Sequence, residues 1–252
     1  MPFSDEALAR LRADAADIVG RYPRARSALL PLLHLVQSEE GYVSDDGIKF
    51  CAEILGCTET EVTGVVTFYT MYKQSLAGEY QVGVCTNTLC AVMGGDQIYA
   101  ELARHLGDGT EGHDDGHHAS ASPGGRPPQT PPEHGGIVSA DGKVGLERIE
   151  CNAACDYAPV IMVNWEFFDN MTPDSARQLV DDLRAGNAVT PTRGPSRLCT
   201  WKEASRILAG FGDGQAMDGP SAGPASLVGL ELAKANGWTA PEPESTHNGG
   251  TE

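Results

Sequence analysis

Basic residues are few in this sequence. Only 18 Lys and Arg stand against 35 Asp and Glu, a formal net charge of -17. Such a surface repels phosphate backbones and anionic bilayers, which argues against nucleic acid or an anionic membrane surface as partner. It fits a subunit that meets a basic partner, although solubility alone accounts for most of the charges. Long apolar runs are also missing. The longest, such as APVIMV at 158–163, are far too short to span a bilayer. The first residues, MPFSDEALAR, have no basic segment followed by an apolar one, so no signal peptide is expected. The reading is a soluble, intracellular chain. Aromatics make up only 6%, whereas 30 Gly and 16 Pro mark a loop-rich sequence, part of it without stable order. No internal repeat is visible.

A complete disulfide framework is excluded as well. Seven cysteines are an odd number, and in a reducing compartment paired cysteines signal metal or redox chemistry. The C-x-x-C of a thioredoxin-type dithiol is absent. Present instead are CTNTLC, with Cys85 and Cys90, and CNAAC, with Cys151 and Cys155.

Residues 1–77 read as a helical bundle. Ser4 caps a first helix with Asp5 and Glu6 in its first turn. Ser27 is expected to cap a second, with Pro31 in its first turn. Ser44 opens a third, which Gly56 ends. Thr58 and Glu61 form a capping box ahead of Val62, Val65, Val66 and Tyr69, a stripe at helical spacing that reads as core. From Gly78 the pattern changes. EYQVGVC alternates like a strand and delivers Cys85 at its end. GGDQIYAELARHLG reads as a helix, KVGLERIEC and PVIMVNWEFF as strands, and Thr172-Pro173 opens a closing helix that Gly186 stops. Residues 78–187 thus form a small α/β domain. It is interrupted at 107–136 by a Gly, Pro, Asp and His-rich insertion expected to be disordered. Residues 188–252 form a loosely ordered Pro/Gly-rich tail with two short helical patterns, WKEASRILAG and ASLVGLELAKAN.

Each cysteine pair follows a predicted strand, so each lies on a loop at a strand end. Four thiolates at one point suit tetrahedral zinc or an iron–sulfur cluster. Zinc knuckles favour two residues between paired cysteines. Here the gaps are four and three, and wider loops suit a [2Fe–2S] rhomb in which each pair holds one iron. The small and polar loop interiors can direct backbone N–H groups at the cluster sulfurs. Zinc, thiol chemistry and unconnected buried cysteines stay open on spacing alone.

TGVVTFYTMY, VCTNTLC and IECNAACDYAPVIMVNWEFFDNMT, in that order, resemble the small [2Fe–2S] subunit family of respiratory complex I, the E subunits of NADH-quinone oxidoreductase. The resemblance covers roughly 5–187 apart from the insertion. It implies an α+β fold: an N-terminal helical bundle followed by a thioredoxin-like [2Fe–2S] ferredoxin domain. It implies one [2Fe–2S] cluster, with Cys85 and Cys90 on one iron and Cys151 and Cys155 on the other, and no catalytic acid, base or nucleophile. It also implies a partner flavoprotein subunit that holds FMN and oxidises NADH, other peripheral-arm subunits of complex I, and a cytoplasmic location peripheral to the inner face of the membrane. As such a subunit the chain has no complete active site of its own. Family members commonly carry Gly where this sequence has Ala153, which costs about 1 kcal/mol if φ is positive there. The same module in an NAD-linked hydrogenase or formate dehydrogenase is one alternative. A zinc-stabilised, non-redox interaction module is another, and a thiol–disulfide enzyme a third.

The remaining features read as structural. Cys51 and Cys57 are small buried hydrophobes flanking the end of the third helix, and Cys199 is a free thiol. His113, His117, His118 and His134 belong to a solvated tract. The G-x-G of GFGDGQAMDG follows no strand and opens no helix, so it is a turn rather than a dinucleotide fingerprint. Trp201 and Trp238 anchor the tail helices, either to a partner or to the chain itself.

Overall fold

The computed structural model describes residues 3–107, 136–215 and 218–240. The disorder expected for 107–136, and its four histidines, therefore concern residues that lie almost wholly outside the described ones.

The N-terminal half forms α1 (Asp5–Gly20), α2 (Leu29–Glu40), α3 (Asp45–Leu55) and α4 (Glu59–Phe68). The caps read from the sequence are present. Ser4 accepts from the Ala7 N–H and Ser44 from the Gly47 N–H, and Thr58 and Glu61 close a full capping box. The Ser27 cap is a correction. A 3₁₀ turn over Ala25–Ala28 runs straight into α2, and Ala28 stands at the cap with no side-chain bond. The Arg26 carbonyl of that turn accepts from the Leu29 N–H that opens α2, so the backbone does part of the work of a side-chain cap there. Leu11, Ala15, Ile18, Leu32, Leu33, Leu35, Val36, Phe50, Val62 and Val66 fill the bundle core. Val65 is only partly buried, and Tyr69 lies beyond α4 and is exposed.

The second half is a five-stranded sheet in the order β2-β3-β1-β4-β5. Its strands are β1 (Tyr80–Cys85), β2 (Ile137–Val138), β3 (Val144–Ile149), β4 (Ile161–Val163) and β5 (Glu166–Phe168). β1 runs parallel to β3 and antiparallel to β4. Between β1 and β2 come the short α5 (Thr88–Val92) and α6 (Gly95–Leu106), and α7 (Pro173–Ala185) closes the domain. Strand alternation sorts the side chains. Val82, Val84, Ile161 and Val163 join Ile98 and Leu102 of α6 and Leu179 and Val180 of α7 in one core. Cys85 and Met162, on the alternate positions, belong to a separate cluster with Cys90, Ile149, Ala154 and Val160. The stretch expected as one strand, PVIMVNWEFF, is a hairpin. Asn164 and Trp165 at its turn have φ of 49° and 73°, a left-handed pair that fits a tight two-residue turn.

Both helices expected in the tail form: α8 (Trp201–Leu208) and α9 (Pro224–Ala235). α8 packs on α2. Trp201 is 1% exposed and donates its indole N–H to the Gly41 carbonyl at 3.0 Å. The fully buried Gln37 joins three segments. Its amide N–H groups donate to Met71 O and to Ser205 Oγ of α8, and its Oε1 accepts from Lys73 N. Lys73 Nζ then reaches Glu147 of β3 at 2.6 Å, with both side chains largely buried. That pair joins the bundle to the sheet. Trp201 thus anchors to its own chain, while Trp238 is 68% exposed.

Candidate iron–sulfur centre

β1 and β3 are parallel neighbours, and Cys85 stands opposite Ile149 in their register. Their C-terminal ends therefore open side by side, and each leads directly into one of the cysteine segments. Sequence distance between the two pairs is cancelled by this one register. Cys85, Cys90, Cys151 and Cys155 line a single small cavity, together with Asn152, Ala154 and Val160.

The four are not equivalent. Cys85 and Cys90 are both 3% exposed, whereas Cys151 and Cys155 are exposed. The loop expected around Cys90 is a correction. Cys90 sits in α5, because the chain turns helical from Thr88 immediately after Asn87. Gly95 lets α6 start against this turn: a Cβ there would overlap the carbonyl oxygen of Cys85 and crowd that of Cys90.

One pair of thiols is in direct contact. Cys151 and Cys155 Sγ are 3.6 Å apart. Two sulfurs on one tetrahedral ion at about 2.3 Å lie about 3.8 Å from each other, so this pair already has the spacing of two ligands on one metal. Cys90 is the nearer influence on the Cys85 thiol, with Cys151 of the other segment also acting on it.

The electrostatics also suit a metal. Burial pushes the Cys85 thiol up to about 11, and the neighbouring Cys90 and Cys151 add to the rise, while the Asn87 backbone N–H opposes it. Cys155 is raised mainly by its partner Cys151. Thiolates crowded in this way repel one another, and bound cations relieve that repulsion as the protons leave. The Ala153 N–H donates to Cys151 Sγ at 3.3 Å, the kind of N–H to sulfur contact expected of these loops. Ala153 holds φ of 54°, so the strain attached to Ala at this position is present. The space between the thiols is about 10 Å³, about one water. A cluster core needs more, and the exposed Cys151–Cys155 segment is the solvent side of that space.

Other thiols stay apart. Cys51 is fully buried in the bundle core, and Cys57 packs on it half-buried. Cys199 is buried, pushed up to about 11 by that burial, and its carbonyl accepts from Asn164 Nδ2 at 2.7 Å. Sequence reasoning missed Asn87, whose side-chain amide donates to Ile149 O at 3.2 Å and bridges the two cysteine segments. Its one signal is a lone Asn inside the C-x4-C loop. Tyr157, in the 3₁₀ turn Cys155–Tyr157, had no signal.

A mixed sheet with helices on one face and four thiols gathered at one end is an architecture that could hold a thiolate-ligated metal centre. The family model for thioredoxin-like [2Fe–2S] ferredoxins matches residues 15–120 and 132–184, and the chain belongs to this family. The NADH-quinone oxidoreductase E subunit of Mycobacterium tuberculosis is 51% identical over 240 residues, covering 95% of this chain and 85% of the relative. NADH-quinone oxidoreductase subunit 2 of Thermus thermophilus is 31% identical over 173 residues, 68% of this chain and 82% of the relative. The E subunit of Rickettsia bellii is also 31% identical over 173 residues, 68% of this chain and 89% of its own length. A solved NAD+-reducing [NiFe]-hydrogenase gives a TM-score of 0.46 at 15% identity, over 63% of this chain and 23% of that one. That likeness is too loose to decide anything about this chain.

Proposed function

We propose that the chain is an electron-transfer subunit of an NADH-quinone oxidoreductase, carrying one [2Fe–2S] cluster on Cys85, Cys90, Cys151 and Cys155. The observation that carries this reading is the convergence of the four thiols on one cavity at the shared end of β1 and β3. The names of the relatives support the assembly.

When bound, the cluster supplies a one-electron relay. The chain's own residues hold it and tune it. Cys85 and Cys90 anchor the buried side, and Cys151 and Cys155 the solvent side. The N–H groups of Asn87 and Ala153 aim at the sulfurs, which makes a more negative cluster easier to form. No proton has to move on a side chain, so the site needs no acid or base.

NADH and FMN belong to a partner flavoprotein subunit, and electrons pass between that flavin and this cluster. The exposed cysteine pair is the face through which the exchange is shortest. The acidic surface suits basic docking faces on that subunit and on other peripheral-arm subunits. Among the described residues, no helix is long and apolar enough to cross a membrane, so attachment to the inner face runs through the complex.

The test is NADH-driven reduction in the native assembly, followed by electron paramagnetic resonance. A [2Fe–2S] signal that appears with NADH, and vanishes when Cys85→Ser is introduced, supports the reading. An assembly in which every other centre is reduced and no [2Fe–2S] signal sensitive to Cys85→Ser appears at any potential contradicts it.

A further inference from the structure

The family match ends at 184, and the residues beyond it return to the cysteine site. Thr192 donates its N–H to Phe167 O at 2.8 Å, and Arg193 forms a bridge with Phe167 along the free edge of β5. The Arg193 guanidinium pairs with Asp169 at 2.8 and 2.9 Å, both side chains largely buried. It also lies over the Phe167 ring at 4.1 Å and the Tyr157 ring at 5.3 Å. Gly194 then donates its N–H to Pro220 O at 3.0 Å, which turns the chain toward α9.

α9 has no buried residue. Its N-terminal end meets the Cys155–Tyr157 turn. The Ala225 N–H donates to Tyr157 Oη at 3.2 Å, and Ser226 Oγ donates to the Asp156 carboxylate. Gly223 makes this approach possible, since a Cβ there would overlap the Tyr157 hydroxyl. No side chain of its own caps α9, so Tyr157 Oη serves the Ala225 N–H that its first turn would otherwise leave unpaired, while the Asp156 carboxylate takes the Ser226 hydroxyl beside the positive end of the helix.

We propose that residues 192–194 and 219–226 form a latch that holds the Cys155–Tyr157 turn, and so positions Cys155 at the solvent side of the site. The latch acts through Tyr157 and Asp156, which are positioning residues. It restrains the exposed cysteine segment, and thereby sets how easily the outer iron is reached and lost. This rests on the cluster reading above, but its mechanical part does not.

Ser226→Ala removes one tie and Gly223→Val displaces the end of α9. Both lie outside the cores, so the melting temperature of the full chain should hold. In the cluster-loaded full chain, a strong iron chelator should bleach the visible absorption about five-fold faster in either variant, the factor that one ordinary hydrogen bond corresponds to. The reduced-cluster resonance signal should shift in shape, and Ser226→Thr should restore both. Leu230→Ala, further along α9, should behave as wild type. In the metal-free chain, alkylation of Cys155 should be faster by a similar factor in the two variants. Unchanged bleaching and an unchanged signal in a coloured protein overturn the latch. A colourless wild type sinks the cluster reading, and the alkylation rates then decide the latch by themselves: equal rates overturn it.

Discussion

The Asn87 side-chain amide donates to the Ile149 carbonyl at 3.2 Å. One hydrogen bond thus ties the segment after β1 to the end of β3, where the second cysteine segment begins. Asn87→Ala cuts that tie without touching a thiol. The expected cost is about 1 kcal/mol of stability, with quicker loss of iron to a chelator. Urea denaturation and the rate of bleaching check it, and wild-type values in both would show that the register alone holds the loops together.

Ala153 gives a prediction of opposite sign. Its φ of 54° lies where a Cβ is unfavourable, so Ala153→Gly should stabilise the folded cysteine segment by about 1 kcal/mol, less the extra backbone freedom that Gly gives the unfolded chain. Chelator resistance of the loaded protein reports it. Faster iron loss in Ala153→Gly would mean that the segment relaxes out of the left-handed region around a cluster.

Much of this architecture is local and could be read from the chain. Ser4, Ser44, Thr58 with Glu61, and Thr172 with Pro173 act within one turn, so spacing alone reveals them. The two cysteine pairs stand out for the same reason. What brings them together does not. The Cys85–Ile149 register, the Gln37 junction and the seat of Trp201 against Gly41 join residues far apart in sequence, and no short window carries that information. Ser27 misled because a 3₁₀ turn did the work of a cap. The Asn164-Trp165 turn was hidden because Trp is an unusual residue at positive φ.

Trp201 is the clearest case of a distant contact with energetic weight. It is almost fully buried, in a helix outside the family match, with its indole N–H paired. Trp201→Ala should destabilise the chain by about 3–5 kcal/mol, seen as an earlier urea midpoint. A midpoint within error of wild type would show that α8 is dispensable to the bundle.

His34 sets an acid limit. Burial lowers its imidazole to about 4, from an ordinary value near 6.5. The folded state therefore binds fewer protons than the unfolded state. The stability this neutral histidine contributes is full above pH 6.5 and is lost as pH falls toward 4, by about 3 kcal/mol at most. Replacing it by an apolar ring, His34→Phe, should flatten the stability curve over that window. An unaltered slope would mean that other groups carry the acid loss.

The ligand set is separable by spectroscopy. Cys85→Ser or Cys155→Ser should abolish or strongly alter the visible spectrum. Cys199→Ser should leave it unchanged, because Cys199 lies outside the cavity that the four thiols line.

The most direct measurement is the metal and acid-labile sulfide content of the purified chain, read with its visible spectrum. The expected result is two iron and two sulfide per chain, the content of its family's cluster, in a red-brown protein that bleaches on reduction. A colourless protein holding one zinc and no sulfide would contradict it.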